Sequence, residues 1–306
     1  MSAGAARIAA QAKLNLHLRI LAREESGYHS IETIFHRIDL ADGILVETTG
    51  GERSIDVTGA ETGPAESNLA YRAASAYAEL AGWLRGFRIE IEKKIPVGAG
   101  LGGGSADAAG VLRILDFLSP QPFGESVLMA IGSSLGADVP FLSSSGVMAF
   151  AWGHGERMMA FPPLPRSDVL LMTPEFSVST VEAYGWLDED RAAVVSPKVQ
   201  GVAPLTRPES VPLTIDTWEL STWAGLNRFA RNDFEPVVAA RHEELALYLK
   251  RLRDSRAIFS AMTGSGSTVF GVLDTPPNFS LVPEEHRERV TTTKTSIDVV
   301  QPQRVG

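Results

Sequence analysis

Apolar and polar residues alternate with period two over 8–20. Leu14, Leu16, Leu18 and Ile20 fall on one face, and Lys13, Asn15, His17 and Arg19 on the other. Successive strand side chains point to opposite faces, so this spacing predicts a strand with one polar face. That face reads either as a surface in water or as the wall of an anion site, because a lysine and an asparagine two residues apart point the same way. Further strands are predicted over 31–40, 44–47 and 54–58, and another where Phe87, Ile89 and Ile91 alternate with Arg88, Glu90 and Glu92. Between the last two lies a helical repeat, with Leu69, Ala73, Ala76, Tyr77 and Leu80 on one face and Ser67 or Asn68 placed to cap it. Helices are also predicted over 106–117, ended by Ser119, Pro120 and Pro122, and over 127–135, where Gly136 suits a C-terminal cap and Pro140 bars continuation.

A strand over 147–151 runs into a turn at Gly153 and Gly155, and Pro162, Pro163 and Pro165 then read as a linker. A domain boundary is placed there, giving units 1–162 and 163–306. The second unit is expected to hold a strand over 169–172 and a short helix carrying Tyr184, capped by Ser179 or Thr180. A loop follows from 187 to 216, then helices over 227–234 and 236–253, a glycine turn at Gly264, Ser265, Gly266 and Ser267, and a last strand within 287–295. Strands and helices in this order describe a mixed α+β fold.

The residues between the 87–92 strand and the 106–117 helix are the most informative. They read Lys93-Lys94-Ile95-Pro96-Val97-Gly98-Ala99-Gly100-Leu101-Gly102-Gly103-Gly104-Ser105-Ala106, with five glycines in seven positions. A strand, a glycine loop and a helix in succession bring free main-chain N–H groups and the positive end of a helix dipole to one place. Glycine lets a polyanion approach that main chain closely. The stretch therefore reads as a phosphate cradle. It lacks the spacing of a P-loop and of a dinucleotide fingerprint.

Composition narrows the field. The chain has 306 residues and a net charge of -9, which disfavours non-specific nucleic-acid binding, while a local basic pocket for phosphates remains compatible with it. It has no cysteine, so disulfides, thiolate nucleophiles and cysteine zinc sites are excluded. The first twelve residues contain Arg7 and Gln11 and no continuous apolar run, so no signal peptide is expected. No segment approaches the roughly 20 apolar residues of a membrane helix. A cytoplasmic protein with no membrane partner is the expectation.

Two further places carry candidate chemistry. Tyr28 and His29 follow a turn at Gly27; an aromatic ring beside an imidazole suits a nucleobase, and equally suits a hairpin with a half-buried tyrosine. Asp138 stands in Gly136-Ala137-Asp138-Val139-Pro140, where it is a general base, a metal ligand or a cap of the next turn.

Ala-Lys-Leu-Asn at 12–15, the glycine loop with its Ser-Ala-Asp-Ala-Ala continuation at 105–109, and Thr-Gly-Ser-Gly-Ser-Thr-Val-Phe at 263–270 stand in one order along the chain. Together they resemble the GHMP kinase superfamily. Each motif alone is weak; the three in order are specific. Gly27-Tyr28-His29, Gly136 to Phe141, Gly153 to Glu156 and Asn232 to Glu235 are similar to one branch of it. That branch phosphorylates the 2-hydroxyl of a cytidine diphosphate conjugate of methylerythritol, in non-mevalonate isoprenoid precursor synthesis. The likeness covers about 8–185 and 225–272.

The resemblance implies an N-terminal domain like ribosomal protein S5 domain 2, a ferredoxin-like C-terminal domain, and a site between them that uses ATP with Mg2+. It implies that Lys13 and Asp138 carry the chemistry and that Pro96 to Ala106 wrap the ATP phosphates, with Asn68 and Lys93 near the adenosine. On the substrate side it places Asn15, Tyr28, His29 and Asp138, with Tyr184 as a second aromatic on the base and Gly264, Ser265 and Gly266 at the substrate end. No metal ligand is assigned, and at Asp107 the family commonly has a residue that holds no metal. Gln11 stands where the family usually has proline, which is expected to relax the local chain. Kinases of this superfamily acting on mevalonate, homoserine or a sugar, and non-catalytic sensors of ATP and a metabolite, are the rival readings. Tyr28 and His29 argue against the first, and the joint presence of Lys13 and Asp138 against the second.

Overall fold

The computed structural model describes residues 4–25, 27–61, 63–83, 85–195, 218–255, 257–275 and 284–305. In chain order the first elements are β1 (Ala5–Arg23), β2 (His29–Thr49), β3 (Arg53–Thr58), α1 (Leu69–Leu80), β4 (Gly86–Glu92), α2 (Gly103–Leu118), α3 (Glu125–Ser133), α4 (Val139–Ser143), β5 (Met148–Gly153) and β6 (Arg157–Phe161). Then come β7 (Asp168–Met172), α5 (Thr180–Val195), α6 (Trp223–Phe229), α7 (Phe234–Ala239), α8 (Glu243–Asp254), β8 (Phe259–Met262), β9 (Val269–Leu273), β10 (Val290–Lys294) and β11 (Gln303–Val305).

One sheet runs β11-β1-β2-β4-β3, with β5 and β6 continuing from the far part of β2, and a second runs β10-β7-β9-β8. All pairings are antiparallel except β3 with β4. The expectation of a mixed α+β fold holds. The segments expected as separate strands over 31–40 and 44–47 are one strand, because β1 and β4 pair with β2 on either side of Ala41-Asp42-Gly43 and keep that polar stretch extended. The last strand expected within 287–295 is β10, paired with β7. β6 and β11 carry no clear alternation and were not expected.

Several helices differ from expectation for local reasons. α2 begins at Gly103, three residues early, because the glycine loop itself turns into the helix. The helix expected over 127–135 does stop before Pro140, but a new one starts there: the proline sits in the first turn of α4, where its missing N–H has no intrahelical partner to lose. The loop expected from 187 is helix as far as Val195, with Leu187 buried on its inner face; 196–216 lies outside the described residues. The helix expected over 227–234 ends at Phe229, and α7 starts at Phe234, whose N–H donates to Asn232 Oδ1 at 2.9 Å; that expected over 236–253 breaks at 240–242 between α7 and α8.

Two hydrophobic cores result. The larger packs α1, α2 and α4 on the first sheet, and Gly110 of α2 comes so close to the strands that an added Cβ would sit 2.7 Å from Ile44 Cδ1. The smaller lies among β7, β9, α5, α7 and α8, and it also takes Leu18 and Ile20 from β1. Thus β1 crosses from one core to the other. Lys13 and Asn15 stand between two shifts of its register with β2, at that crossing. Such shifts re-aim side chains out of a regular pleat.

Candidate active site

The polar face of β1 is buried: Lys13 is 2% exposed, and Asn15 and His17 are equally covered. The surface-in-water reading is therefore removed. Burial of Lys13 and Asn15 is tolerable because their polar groups are partnered, whereas His17 accepts from Arg231 N through Nδ1 and its Nε2 has no partner. The Lys13 ammonium donates to Asn15 Oδ1 at 2.5 Å and to the Gly100 carbonyl at 3.0 Å, and its third neighbour is Asp138 Oδ2 at 3.2 Å. Asn15 donates through Nδ2 to Thr33 Oγ1 at 2.8 Å, which fixes its amide so that the oxygen faces the lysine.

The glycine loop closes over this pair. Gly102, with φ 73°, is the residue before α2, and a Cβ there would lie 3.0 Å from Lys13 Cε and 3.4 Å from Asp138 Oδ2. The first turn of α2 therefore points its free N–H groups to within a residue's width of the ammonium and the carboxylate. Gly100, with φ 77°, meets the second glycine turn, where a side chain would run into the Thr263 carbonyl at 2.2 Å. Thr263 Oγ1 accepts from Asn15 N at 3.0 Å and donates to the Gly100 carbonyl at 3.1 Å. Asn232 Nδ2 donates to the carbonyls of Met262 and Gly264, both at 2.8 Å, and so braces that turn from behind. Thr263 was not singled out from the sequence; its place inside a turn motif was the available signal.

Asp138 precedes α4, yet its carboxylate makes no capping bond to that helix. Its side chain is 25% exposed, whereas the lysine beside it is sealed. The capping alternative is removed, and a carboxylate remains that faces both a buried ammonium and open space. Such a group is placed to accept a proton from a bound hydroxyl.

The other expected residues fall into three places. Lys93 is sealed under the loop, with its Nζ 2.5 Å from Asp42 Oδ2 and 2.6 Å from Asp107 Oδ2. Asp42 also accepts the N–H groups of Lys94 at 2.5 Å and Ile95 at 2.8 Å, so this cluster anchors the stem that leads to Pro96. Burial pushes the Asp107 carboxyl up to about 7, and its Oδ1 has no hydrogen-bond partner. Asn68 caps α1 by accepting from Ala70 N at 2.9 Å. Pro96, Val97, Gly98, Ala99, Leu101, Gly103, Gly104, Ser105 and Ala106 make up the rest of the loop and the first turn of α2, with Val97 and Gly98 outermost.

At the opposite rim His29 is buried, and its Nε2 lies 3.0 Å from Asp188 Oδ1. Its ring stacks on Tyr184 at 4.5 Å and 12°, so the two aromatic groups expected to hold one base touch each other. Burial, with the charges of Asp138 and Asp188 beside it, pushes the Tyr184 hydroxyl up to about 12. Tyr28 is 67% exposed and stacks on His154 instead. Ser265 Oγ lies 3.2 Å from Thr180 Oγ1 at the start of α5, and Gly266 follows it in the turn. Asp188 is the member of this rim that the sequence did not reveal, since it fell in a stretch read as loop.

Gln11 does not relax its segment. Its side chain donates to Ser296 Oγ at 2.9 Å and the Asp298 carbonyl at 3.1 Å and accepts from Val300 N at 3.0 Å, tying the tail to β1.

A buried lysine and an open aspartate thus stand together beside a glycine loop at a helix start. Comparison with known families gives the class of protein. Residues 68–154 match the GHMP kinases N terminal domain, and residues 220–290 match the GHMP kinases C terminal family. The chain is 34% identical over 293 residues to a 4-diphosphocytidyl-2-C-methyl-D-erythritol kinase of Desulfitobacterium hafniense, covering 92% of this chain and 91% of that protein. It is 37% identical over 269 residues to one from Nitratidesulfovibrio vulgaris, covering 85% and 87%. A crystal structure of 4-(cytidine 5'-diphospho)-2C-methyl-D-erythritol kinase superposes with a TM-score of 0.71 at 33% identity, over 95% of this chain and 99% of that one. A homoserine kinase from Cytophaga hutchinsonii shares the fold, with a TM-score of 0.66 at 16% identity over 100% and 98%. The chain belongs to the GHMP kinases and, within them, to the family of 4-diphosphocytidyl-2-C-methyl-D-erythritol kinases.

Proposed function

We propose that this chain transfers the γ-phosphoryl group of ATP to the 2-hydroxyl of 4-diphosphocytidyl-2-C-methyl-D-erythritol. The observation that carries the chemistry is the contact of Lys13 with Asp138 beside Gly102. A tertiary alcohol is a poor nucleophile. As its oxygen bonds to the γ-phosphorus and the bond to the β-phosphate oxygen breaks, its proton passes to Asp138 and ADP leaves. Lys13 offsets charge on the moving phosphoryl group. Pro96 to Ala106 would cradle the phosphates through main-chain N–H groups. Lys93, sealed with Asp42 and Asp107, would serve the adenosine side through its main chain, next to Asn68.

The kinase family implies Mg2+. Among the described residues no cluster of three or more acidic or histidine side chains forms a cage. A lone carboxylate and a hydroxyl at an anion cradle suit an ion that keeps its waters and arrives on phosphate oxygens. Asp138 and Ser105 would face it, and it would neutralise charge on those phosphates.

For the nucleobase, an ionised Asp188 only accepts, so His29 Nε2 donates to it and Nδ1 presents a lone pair. That lone pair suits the exocyclic amino group of cytosine and opposes the carbonyl of uracil. Tyr184 and His29 would part to admit the ring, with Tyr28 at the entrance. Asn15 and the Gly264, Ser265 and Gly266 turn would meet the erythritol end. The site would lie between units 1–162 and 163–306. Among the described residues no helix is long and apolar enough to cross a membrane, and we place the protein in the cytoplasm.

The test is ATP turnover with the cytidylyl methylerythritol substrate in wild type and in Asp138→Ala, with ATP binding followed in parallel. Turnover that falls by about 10²- to 10⁴-fold in the variant while ATP still binds supports both the reaction and the proton acceptor. ATP binding without turnover on this substrate, mevalonate or homoserine would establish a sensor instead.

A further inference from the structure

α4 spans five residues, too few for a helix that holds itself. It nevertheless carries Asp138 at its leading end. What holds its trailing end is Arg37, a side chain 104 residues away from Phe141 and among the largest that the fold buries completely. Arg37 Nη2 donates to the carbonyls of Phe141 at 2.9 Å and Ser144 at 3.0 Å, and its Nε donates to Gly146 at 2.9 Å. The Phe141 carbonyl also takes Ser144 N and Oγ, so Arg37 adds to that last turn and ties to it the two carbonyls that follow the helix, where a cation also complements the helix dipole.

The same guanidinium lies 5.0 Å above the Phe141 ring. Phe141 stacks on Phe35 at 5.0 Å and 19°, and Phe35 carries the Lys13 ammonium 5.7 Å from its centre. Arg37 is moreover the residue directly opposite Lys13 in the pairing of β1 with β2. One ladder rung and one column of rings therefore connect the end of α4 to the lysine that Asp138, just before its first residue, must meet. Burial pulls the Arg37 pKa down to about 9, which leaves it a cation at neutral pH.

We infer that Arg37 is a positioning residue for phosphoryl transfer: it fixes the end of α4 so that Asp138, at the other end of that short helix, stays against Lys13. It touches no reacting atom. A planar fork matched to three carbonyls does this where lysine, a point charge on a flexible stem, reaches fewer of them. A displacement of about 1 Å at a reacting group costs on the order of 10²-fold in rate, so a small slip of α4 is enough to register.

The inference rests on the reading of Asp138 as proton acceptor, and the experiment separates the two. Arg37→Lys, Arg37→Met and Asp138→Asn are assayed singly, and each Arg37 variant also in the Asp138→Asn background. We expect kcat to fall about 10- to 100-fold in Arg37→Met and less in Arg37→Lys, with KM for ATP and for the acceptor within about threefold of wild type. In the Asp138→Asn background the same changes should alter the residual kcat by less than about threefold, because the group they position is already gone. Equal fold losses in the two backgrounds, or a raised KM at unchanged kcat, would overturn the inference and leave Arg37 a purely structural residue. Wild-type turnover in Asp138→Asn alone would instead remove the reading of Asp138. If Arg37→Met does not fold, Arg37→Lys keeps charge and stem and carries the same comparison.

Discussion

Among the described residues two buried lysines meet aspartates, and the two meetings differ in how open the carboxylates are. Lys13 touches a single carboxylate that is a quarter exposed, while Lys93 is closed in with two carboxylates that water scarcely reaches. At the first, the aspartate has an open side on which a substrate can bring a proton. At the second, Asp42 spends its oxygens on Lys93 and on two main-chain N–H groups. The same residue types thus make a reactive pair where one member faces open space and a scaffold where none does. Sequence motifs name residue types and are silent on which side remains open.

The largest test of that contrast exchanges each lysine for methionine. Lys13→Met should lower kcat by about 10³-fold and shift unfolding free energy by no more than ~1–2 kcal/mol, since Asp138 can turn to water. Lys93→Met strands two buried carboxylates and should cost ~3–5 kcal/mol in urea unfolding, while the folded protein keeps most of its kcat. Equal stability losses, or equal losses of kcat, would erase the distinction. His29 with Asp188 offers an intermediate case, a sealed imidazole on a half-open carboxylate. If openness marks chemistry, the uridine analogue should show kcat/KM about 10²-fold below the cytidine substrate, since it leaves a buried acceptor unpaired. Equal values would remove the role given to His29.

The smallest effect concerns Asp107. Its folded pKa, about 7, lies above the value near 4 of an unfolded chain. Between about pH 4 and pH 7 the folded state therefore keeps a proton that the unfolded state has lost, and stability falls as pH rises through that window. Asp107→Asn should flatten this slope, by on the order of 3 kcal/mol over the interval, in denaturation curves taken at each pH. A variant with the wild-type slope would mean that Asp107 is ionised throughout.

Much of the site was legible. The alternation around Lys13 and Asn15 and the glycines of both turns announce their local geometry, because period and glycine act over a few residues. Burial of the β1 polar face was not legible, since Thr263, which covers it, lies 248 residues from Asn15. The scaffold role of Lys93 escaped for the same reason: Asp42 is 51 residues away. The stop before Pro140 was legible and the start of α4 was not, because proline bars a helix from continuing and equally favours starting one. The His29 and Tyr184 stack shows that two residues assigned to one ligand can satisfy each other until it arrives.

The tether at Gln11 has a meaning for how this chain can change over evolutionary time. A proline at that position supplies none of the three side-chain bonds that now hold Ser296, Asp298 and Val300. Exchanging residue 11 removes all three at once, whereas altering Ser296 removes one, because the other two reach main-chain groups of Asp298 and Val300. The dependence is therefore one-sided: the tail can vary in its side chains while residue 11 stays, and the position on β1 is the one whose change the tail must absorb.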